Sequence, residues 1–196
     1  MDISESNLCI ANECFAEYGY NETSVKILSN AMSISSNMFY YLFKNKESLF
    51  KIVLADEIEQ FKTLTNRLVK RQTDSINSLC AYVTARTMGL QKSKNLLLVI
   101  NDKSLSQRFL TQELLQDYKD FETLYLKNIL QSGVQTGEFE IEDTKLEVSA
   151  ITSALQQLGR SLNQFSIIDK SEKNLQQMLD TLLIGILKQQ TTTLNS

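Results

Sequence analysis

The chain has 196 residues, 20 of them basic and 23 acidic, and carries a net charge of −3 with no histidine. Its length suits one domain or two small ones, and its acidic balance gives no general basic signature for nucleic acid or an anionic membrane, so any DNA binding has to be local. Without histidine there is no Ser-His-Asp or Cys-His centre and no histidine-ligated metal; with no other catalytic pairing or cofactor motif, no enzyme, cofactor or metal site is expected.

Proline is absent and glycine occurs only six times. Helices can then run uninterrupted, while the many tight turns of a β-sandwich or barrel are hard to supply, so the class is all-α. No apolar run approaches the roughly 18 residues of a membrane span. The opening Met1-Asp2-Ile3-Ser4-Glu5 also lacks the basic start and apolar stretch of a signal peptide. A soluble, cytoplasmic protein with no membrane partner is expected. Cys9, Cys14 and Cys80 form no CxxC pair and sit in apolar-periodic stretches, which predicts buried, reduced thiols.

The first helix is predicted to open at Asp2, with Glu5 at capping-box spacing, and to bury Leu8, Ala11, Phe15 and Tyr18 on one face. Gly19 stands where the chain has to leave that helix. Thr23 is the predicted N-cap of a second helix carrying Val25, Leu28 and Ala31, and Ser33-Ile34-Ser35 ends it. Ser35 caps a short third helix, Ser36 to Leu42, and Asn45 caps a fourth that begins at Lys46 and carries Leu49, Phe50, Val53 and Phe61. Amphipathic stretches follow at about 75–92, 95–101, 106–132, 142–165 and 171–190, with Gly133 and the Gly137-Glu138-Phe139 turn separating the third from the fourth. The apolar run Leu96 to Ile100 fits a buried strand equally well by pattern, but a lone strand has no partner, so it is read as helix.

Four blocks in the first fifty residues resemble the TetR family of helix-turn-helix regulators in order and spacing. They are Phe15-Ala16-Glu17-Tyr18-Gly19-Tyr20, Thr23-Ser24-Val25, Phe39-Tyr40-Tyr41-Leu42-Phe43 and Lys46-Glu47-Ser48-Leu49. The resemblance implies a three-helix helix-turn-helix head, residues 1–48, joined to a larger helical ligand-binding and dimerisation body, residues 49–196. Val25, Leu28, Ala31, Ile34 and Phe39 would hold the two helices of the motif together, with Phe15 and Phe43 against them. Ser33 and Asn37 stand where the family usually has glycine, and Ser36 where it often has lysine.

The same resemblance places the third helix in the major groove of double-stranded operator DNA, offering Ser36, Asn37, Met38 and Tyr41 to base edges beyond its cap at Ser35. It assigns Tyr40 and Lys46 to phosphates, and the helix N-terminus at Thr23-Ser24 is a second anion-binding end. Residues 1–50 contain Lys26, Lys44 and Lys46 against six carboxylates, a local net charge of −3. Few charge contacts to DNA are therefore expected.

In the body, Ile151, Ala154, Leu155, Leu158 and Leu162 share one helical stripe, and Leu179, Leu182, Leu183 and Ile186 share a second. The family resemblance implies that these two helices form a homodimer, for which the alternative is a purely intramolecular core. It also implies an effector pocket in the middle helices, for an unknown small molecule, among Tyr82, Arg86, Phe109, Tyr118, Phe121 and Tyr125. Arg86, if buried, needs an anionic partner. A second reading is a TetR-shaped protein without autonomous DNA binding that acts through a ligand or protein partner.

Overall fold

In a computed structural model the described residues are 4–106 and 109–164, with side chains described except at 103, 109, 110 and 157–164. Among them are nine helices and no β-strand: α1 (Glu5–Glu22), α2 (Val25–Ala31), α3 (Ser36–Phe43), α4 (Lys46–Val69), α5 (Ser75–Lys92), α6 (Lys94–Asn101), α7 (Lys103–Ser106), α8 (Phe109–Thr136) and α9 (Thr144–Gln164). The all-α class holds, and Leu96 to Ile100 is helical. The one-turn α7 had no periodic signature, being a single turn after Asp102, whose carboxylate accepts from the Ser104 amide at 2.7 Å. The predicted helix at 171–190 lies outside the described residues. No helix among those described is long and apolar enough to cross a membrane.

Several helix ends are made by other residues than expected. Ser4 caps α1, its hydroxyl accepting from the Asn7 amide, while Asp2 lies outside the described residues. Thr23 does not cap α2; Ser24 does, accepting from the Ile27 amide at 3.2 Å. Thr23 is fully buried and donates to Gly19 O at 2.6 Å, which closes the end of α1. Gly19 itself has φ +78° and ψ 162°, a region essentially reserved for glycine, and kinks α1 where a simple left-handed cap was expected. Ser35 and Asn45 cap α3 and α4 as read from the sequence.

Two helices end in the same way with different residues. After α8, Gly137 has φ +76°, with Glu138 N donating to Gly133 O and Gly137 N to Val134 O. This is a Schellman ending with glycine where positive φ is cheap. After α2 the same pair of bonds runs from Ile34 N to Ser29 O and from Ser33 N to Asn30 O, and there Ser33 has φ +57°. Gly133 is not the expected turn: it lies within α8, where a Cβ would overlap the Phe139 ring.

The described residues fall into two compact units, one comprising residues up to Thr63 and Gly89–Lys119, the other Leu64–Met88 and the residues from Asp120 onward. In the first unit Ala11, Phe15, Leu28, Phe39, Leu49, Val53 and Leu54 have no exposed surface. Phe15, Tyr20 and Phe50 pack ring to ring, Phe15 meeting Phe50 edge-on at 4.9 Å. Ala31 is exposed and Met32 takes the expected inward position; Tyr18, expected inward, is 47% exposed. Of the three thiols only Cys14 is buried, Cys80 is half-buried, and Cys9 lies on the outer side of α1.

A buried carboxylate links three elements of this unit. Glu57 of α4, 2% exposed, accepts from Asn12 Nδ2 of α1 at 2.8 Å, from Leu96 N at 2.6 Å, and from Asn95 N and Nδ2 at 3.3 and 3.1 Å. Asn95 Nδ2 also donates to Asn12 O. Ser93, the N-cap residue of α6, makes no side-chain cap, so Glu57 supplies it from outside the helix, where the amide dipoles favour negative charge. Burial nevertheless pushes the Glu57 carboxyl above its ordinary range, against the lowering effect of these hydrogen bonds.

The second unit is built on Leu79, Tyr82, Val83, Leu126, Leu130, Val148, Ile151 and Leu155. Glu138 caps α5 from 62 residues away, accepting from Ser75 N and Ile76 N at 2.9 and 3.2 Å.

Replacing Ser33 with glycine is expected to stabilise the protein by about 1 kcal/mol, read as a higher urea midpoint at unchanged slope, because a left-handed non-glycine residue costs about that much. Glu57→Ala strands two buried backbone amides and the Asn12 side-chain amide, and is expected to destabilise by about 3 kcal/mol in the same measurement.

Candidate nucleic-acid interface

The motif begins with a stiff frame. The Schellman ending of α2 turns the chain in three residues, Ser35 starts α3, and α3 anchors itself by Phe39 and Phe43, 0% and 2% exposed, whose rings meet at 5.1 Å. Residues on the other side of the helix are driven outward by this period. Tyr41 is 67% exposed, Tyr40 52% and Met38 46%, and Ser36 and Asn37 are exposed beside them. Tyr40 keeps its ring edge-on against Phe39 at 5.8 Å, so its hydroxyl projects from a fixed base.

Of the residues expected to touch DNA, Ser24, Ser35, Ser36, Asn37, Met38, Tyr40 and Tyr41 are thus exposed on α2, α3 and their caps. Thr23 is not among them: its hydroxyl is consumed inside the head. Lys46 is half-buried, with Nζ donating to Tyr20 O at 2.8 Å and to Asn21 O at 3.4 Å and lying 4.4 Å from the centre of the Tyr20 ring. Its ammonium therefore neutralises the carbonyl end of α1 and fixes the start of α4 there.

The structure gives Lys44, one of the three lysines of residues 1–50, a definite place. It caps the C-terminal end of α3, exposed, with φ +64° and ψ −50°, and Asn45 N donates to Phe43 O across it at 2.7 Å. That is a γ-turn, a strained conformation for a residue with a side chain. No spacing rule announces it, since it follows from the angle between α3 and α4. Lys26 is exposed on α2.

The expected effector residues divide between the two units. In the first, Tyr118 is buried edge-on against Phe61 at 5.1 Å. In the second, Tyr82, Arg86, Phe121 and Tyr125 come together, Tyr125 stacking on Tyr82 at 6.1 Å and meeting Phe121 at 5.1 Å. The Phe109 side chain lies outside the described residues. The anionic partner that a buried Arg86 requires is Glu122 on α8: Nε to Oε1 is 2.6 Å with both side chains 5% or less exposed. Arg86 also donates to Leu155 O at 3.1 Å, and Tyr82 donates to Glu122 at 3.3 Å. Burial first, and the Glu122 charge second, raise the Tyr82 phenol well above its ordinary value. Beside this packed set, a cleft of about 450 Å³ lies along Lys70, Asp74, Ser78, Tyr125, Asn128 and Glu138; of the expected effector residues, only Tyr125 lines it.

On α9, Ile151 and Leu155 are 2% exposed within the chain's own core, a correction to their expected place on a dimer surface. Ala154 faces outward. Leu158 and Leu162 are on α9 but their side chains, like Leu179, Leu182, Leu183 and Ile186, lie outside what is described.

Residues 10–53, from α1 into α4, match the model of the bacterial regulatory proteins of the tetR family. Over 134 residues the chain is 25% identical to the fatty acid metabolism regulator protein of Bacillus subtilis strain 168, an alignment taking in 66% of this chain and 67% of that protein. The ketosteroid transcriptional regulator KstR2 of Mycobacterium tuberculosis shares the fold with a TM-score of 0.75 at 19% identity, covering 95% of this chain and 97% of that one. AibR, solved in complex with isovaleryl coenzyme A and operator DNA, gives a TM-score of 0.73 at 15% identity over 91% and 96% of the two chains. The exposed α3, its short turn and its buried anchors all lie in this matched stretch, so residues 10–53 form a helix-turn-helix of the tetR-family type.

Proposed function

We propose that this regulator is a repressor that binds a palindromic operator as a homodimer in the cytoplasm, and that a small-molecule effector changes its operator affinity. Residues 1–48 serve as the DNA-binding head and residues 49–196 as the ligand-binding and dimerisation body. The observation that carries the reading is the outward face of α3. Three large apolar side chains stand at 46–67% exposure on one two-turn helix held rigidly from behind, which is costly in water and useful only against a partner. A two-fold dimer presents two such helices, so its site has matching half-sites.

Ser36, Asn37, Met38 and Tyr41 meet base edges, while Tyr40, Lys44 and the amide end of α2 at Ser24 meet phosphates. Lys46 acts chiefly by holding α1 and α4 in register, its charge adding to the field of the docking face. In the body, Phe121 and Tyr125 are half-buried and open to a ligand without unpacking the core. Arg86, already matched by Glu122, holds α5, α8 and α9 together. An acyl-coenzyme A is the effector class to try first, because AibR carries one. Dimerisation falls to Ala154 with Leu158, Leu162 and the segment carrying Leu179, Leu182, Leu183 and Ile186.

The acidic head favours one other reading, a TetR-fold protein that does not bind DNA by itself. A gel shift on DNA upstream of its own gene separates them: a retarded, palindrome-dependent complex supports the first, and none at micromolar protein supports the second.

With three lysines in each head, the logarithm of operator affinity is expected to fall with the logarithm of salt as for about four to six phosphates per dimer. A slope equivalent to roughly eight or more phosphates refutes the docking assigned here. Asn37→Ala should relax preference at one base pair per half-site. Lys46→Ala should weaken all sequences about equally and also lower the melting temperature, which separates its positioning role from base reading.

A further inference from the structure

We infer that the centre of each half-site is read as A·T pairs, through thymine methyl groups and adenine, with no arginine or lysine contact to guanine from the recognition helix. The inference rests on the DNA-binding reading above and deepens it to the sequence class recognised.

Guanine is read best in the major groove by arginine or lysine donating to O6 and N7, and cytosine by a carboxylate accepting from N4. α3 holds neither type: Ser36, Asn37, Met38, Phe39, Tyr40, Tyr41, Leu42 and Phe43 make up the helix. The first arginine of the chain is Arg67, beyond the head. The nearby cations are also placed away from the bases. Lys26 is on α2, Lys44 follows the last turn of α3, and Lys46 is held against the Tyr20 and Asn21 carbonyls. Base edges are met by the N-terminal part of a recognition helix, so Lys44 at the other end faces the backbone.

What remains for the bases is Asn37, Met38 and Tyr41, with Ser36 able to bond to either kind of pair. Tyr41 lies one turn on from both others, at i+4 from Asn37 and i+3 from Met38, which groups the three on one side of the helix. The amide of Asn37 matches N6 and N7 of adenine, and an exposed thioether and phenol ring offer apolar contact, for which the thymine methyl is the apolar feature of the groove. The charge balance points the same way. With few phosphates neutralised, affinity has to come from drying these apolar groups, and only a site with methyl groups at their positions lets them do so.

Selection of duplexes with a random central region by the intact protein, at low salt, tests this. Half-sites with adjacent A·T pairs at the centre are expected. Exchanging a contacted thymine for uracil, which removes only the methyl, should weaken binding about fourfold per methyl. Met38→Ala or Tyr41→Ala should make the corresponding thymine and uracil sites bind alike. Selected half-sites centred on G·C, or equal binding of thymine and uracil by the unaltered protein, overturn the inference and leave DNA binding intact. No enriched sequence at all removes the DNA-binding reading and this inference with it.

Discussion

Among the described residues the carboxylate of Glu57 is held by four N–H groups from α1 and α6, with no cation beside it. Desolvating a carboxylate is expensive, and only a full set of donors makes it tolerable. That requirement makes the position of α1, α4 and α6 a single geometric condition within their unit. If α6 shifts along its axis, the amides of Asn95 and Leu96 leave the carboxylate; if α1 shifts, Asn12 does. The helix-turn-helix stands on this frame, since α1 carries Phe15 and Tyr20, which pack on Phe50 of α4.

The head also shows how few charges can be made to serve. Residues 1–50 carry three lysines against six carboxylates, yet the lysines are spread over α2, the end of α3 and the start of α4. One of them, Lys46, is spent largely on the fold, where it closes the carbonyl end of α1. The exposed surface of α3 is aromatic and amide-bearing more than cationic; in the proposed DNA-binding role this shifts the source of affinity from counterion release to desolvation.

In the second unit the interior is organised by an ion pair. Arg86 and Glu122 are neutral together, and each has further bonds, to Leu155 O and from the Tyr82 hydroxyl. Removing either partner leaves an uncompensated buried charge, so the pair sets the spacing of α5, α8 and α9.

Much of this was legible in the order of residues. Helix spans follow from apolar spacing and from the lack of proline, and they recur almost unchanged, as at Ser75–Lys92. Caps at Ser35 and Asn45 depend on local hydrogen bonds three residues long, so local sequence determines them. The outward face of α3 is likewise a matter of period. The tertiary structure decided whatever depends on approach between distant segments. Thr23 read as the cap of α2 until its burial against Gly19 left that role to Ser24, and Gly133 read as a turn until Phe139 lay across it. Ile151 and Leu155 have the same pattern whether a stripe packs on its own chain or on another; here they are buried in one cluster with Leu126 and Leu130. Arg86 announced that it needed an anion, but Glu122 lies 36 residues away, a distance that no spacing rule spans.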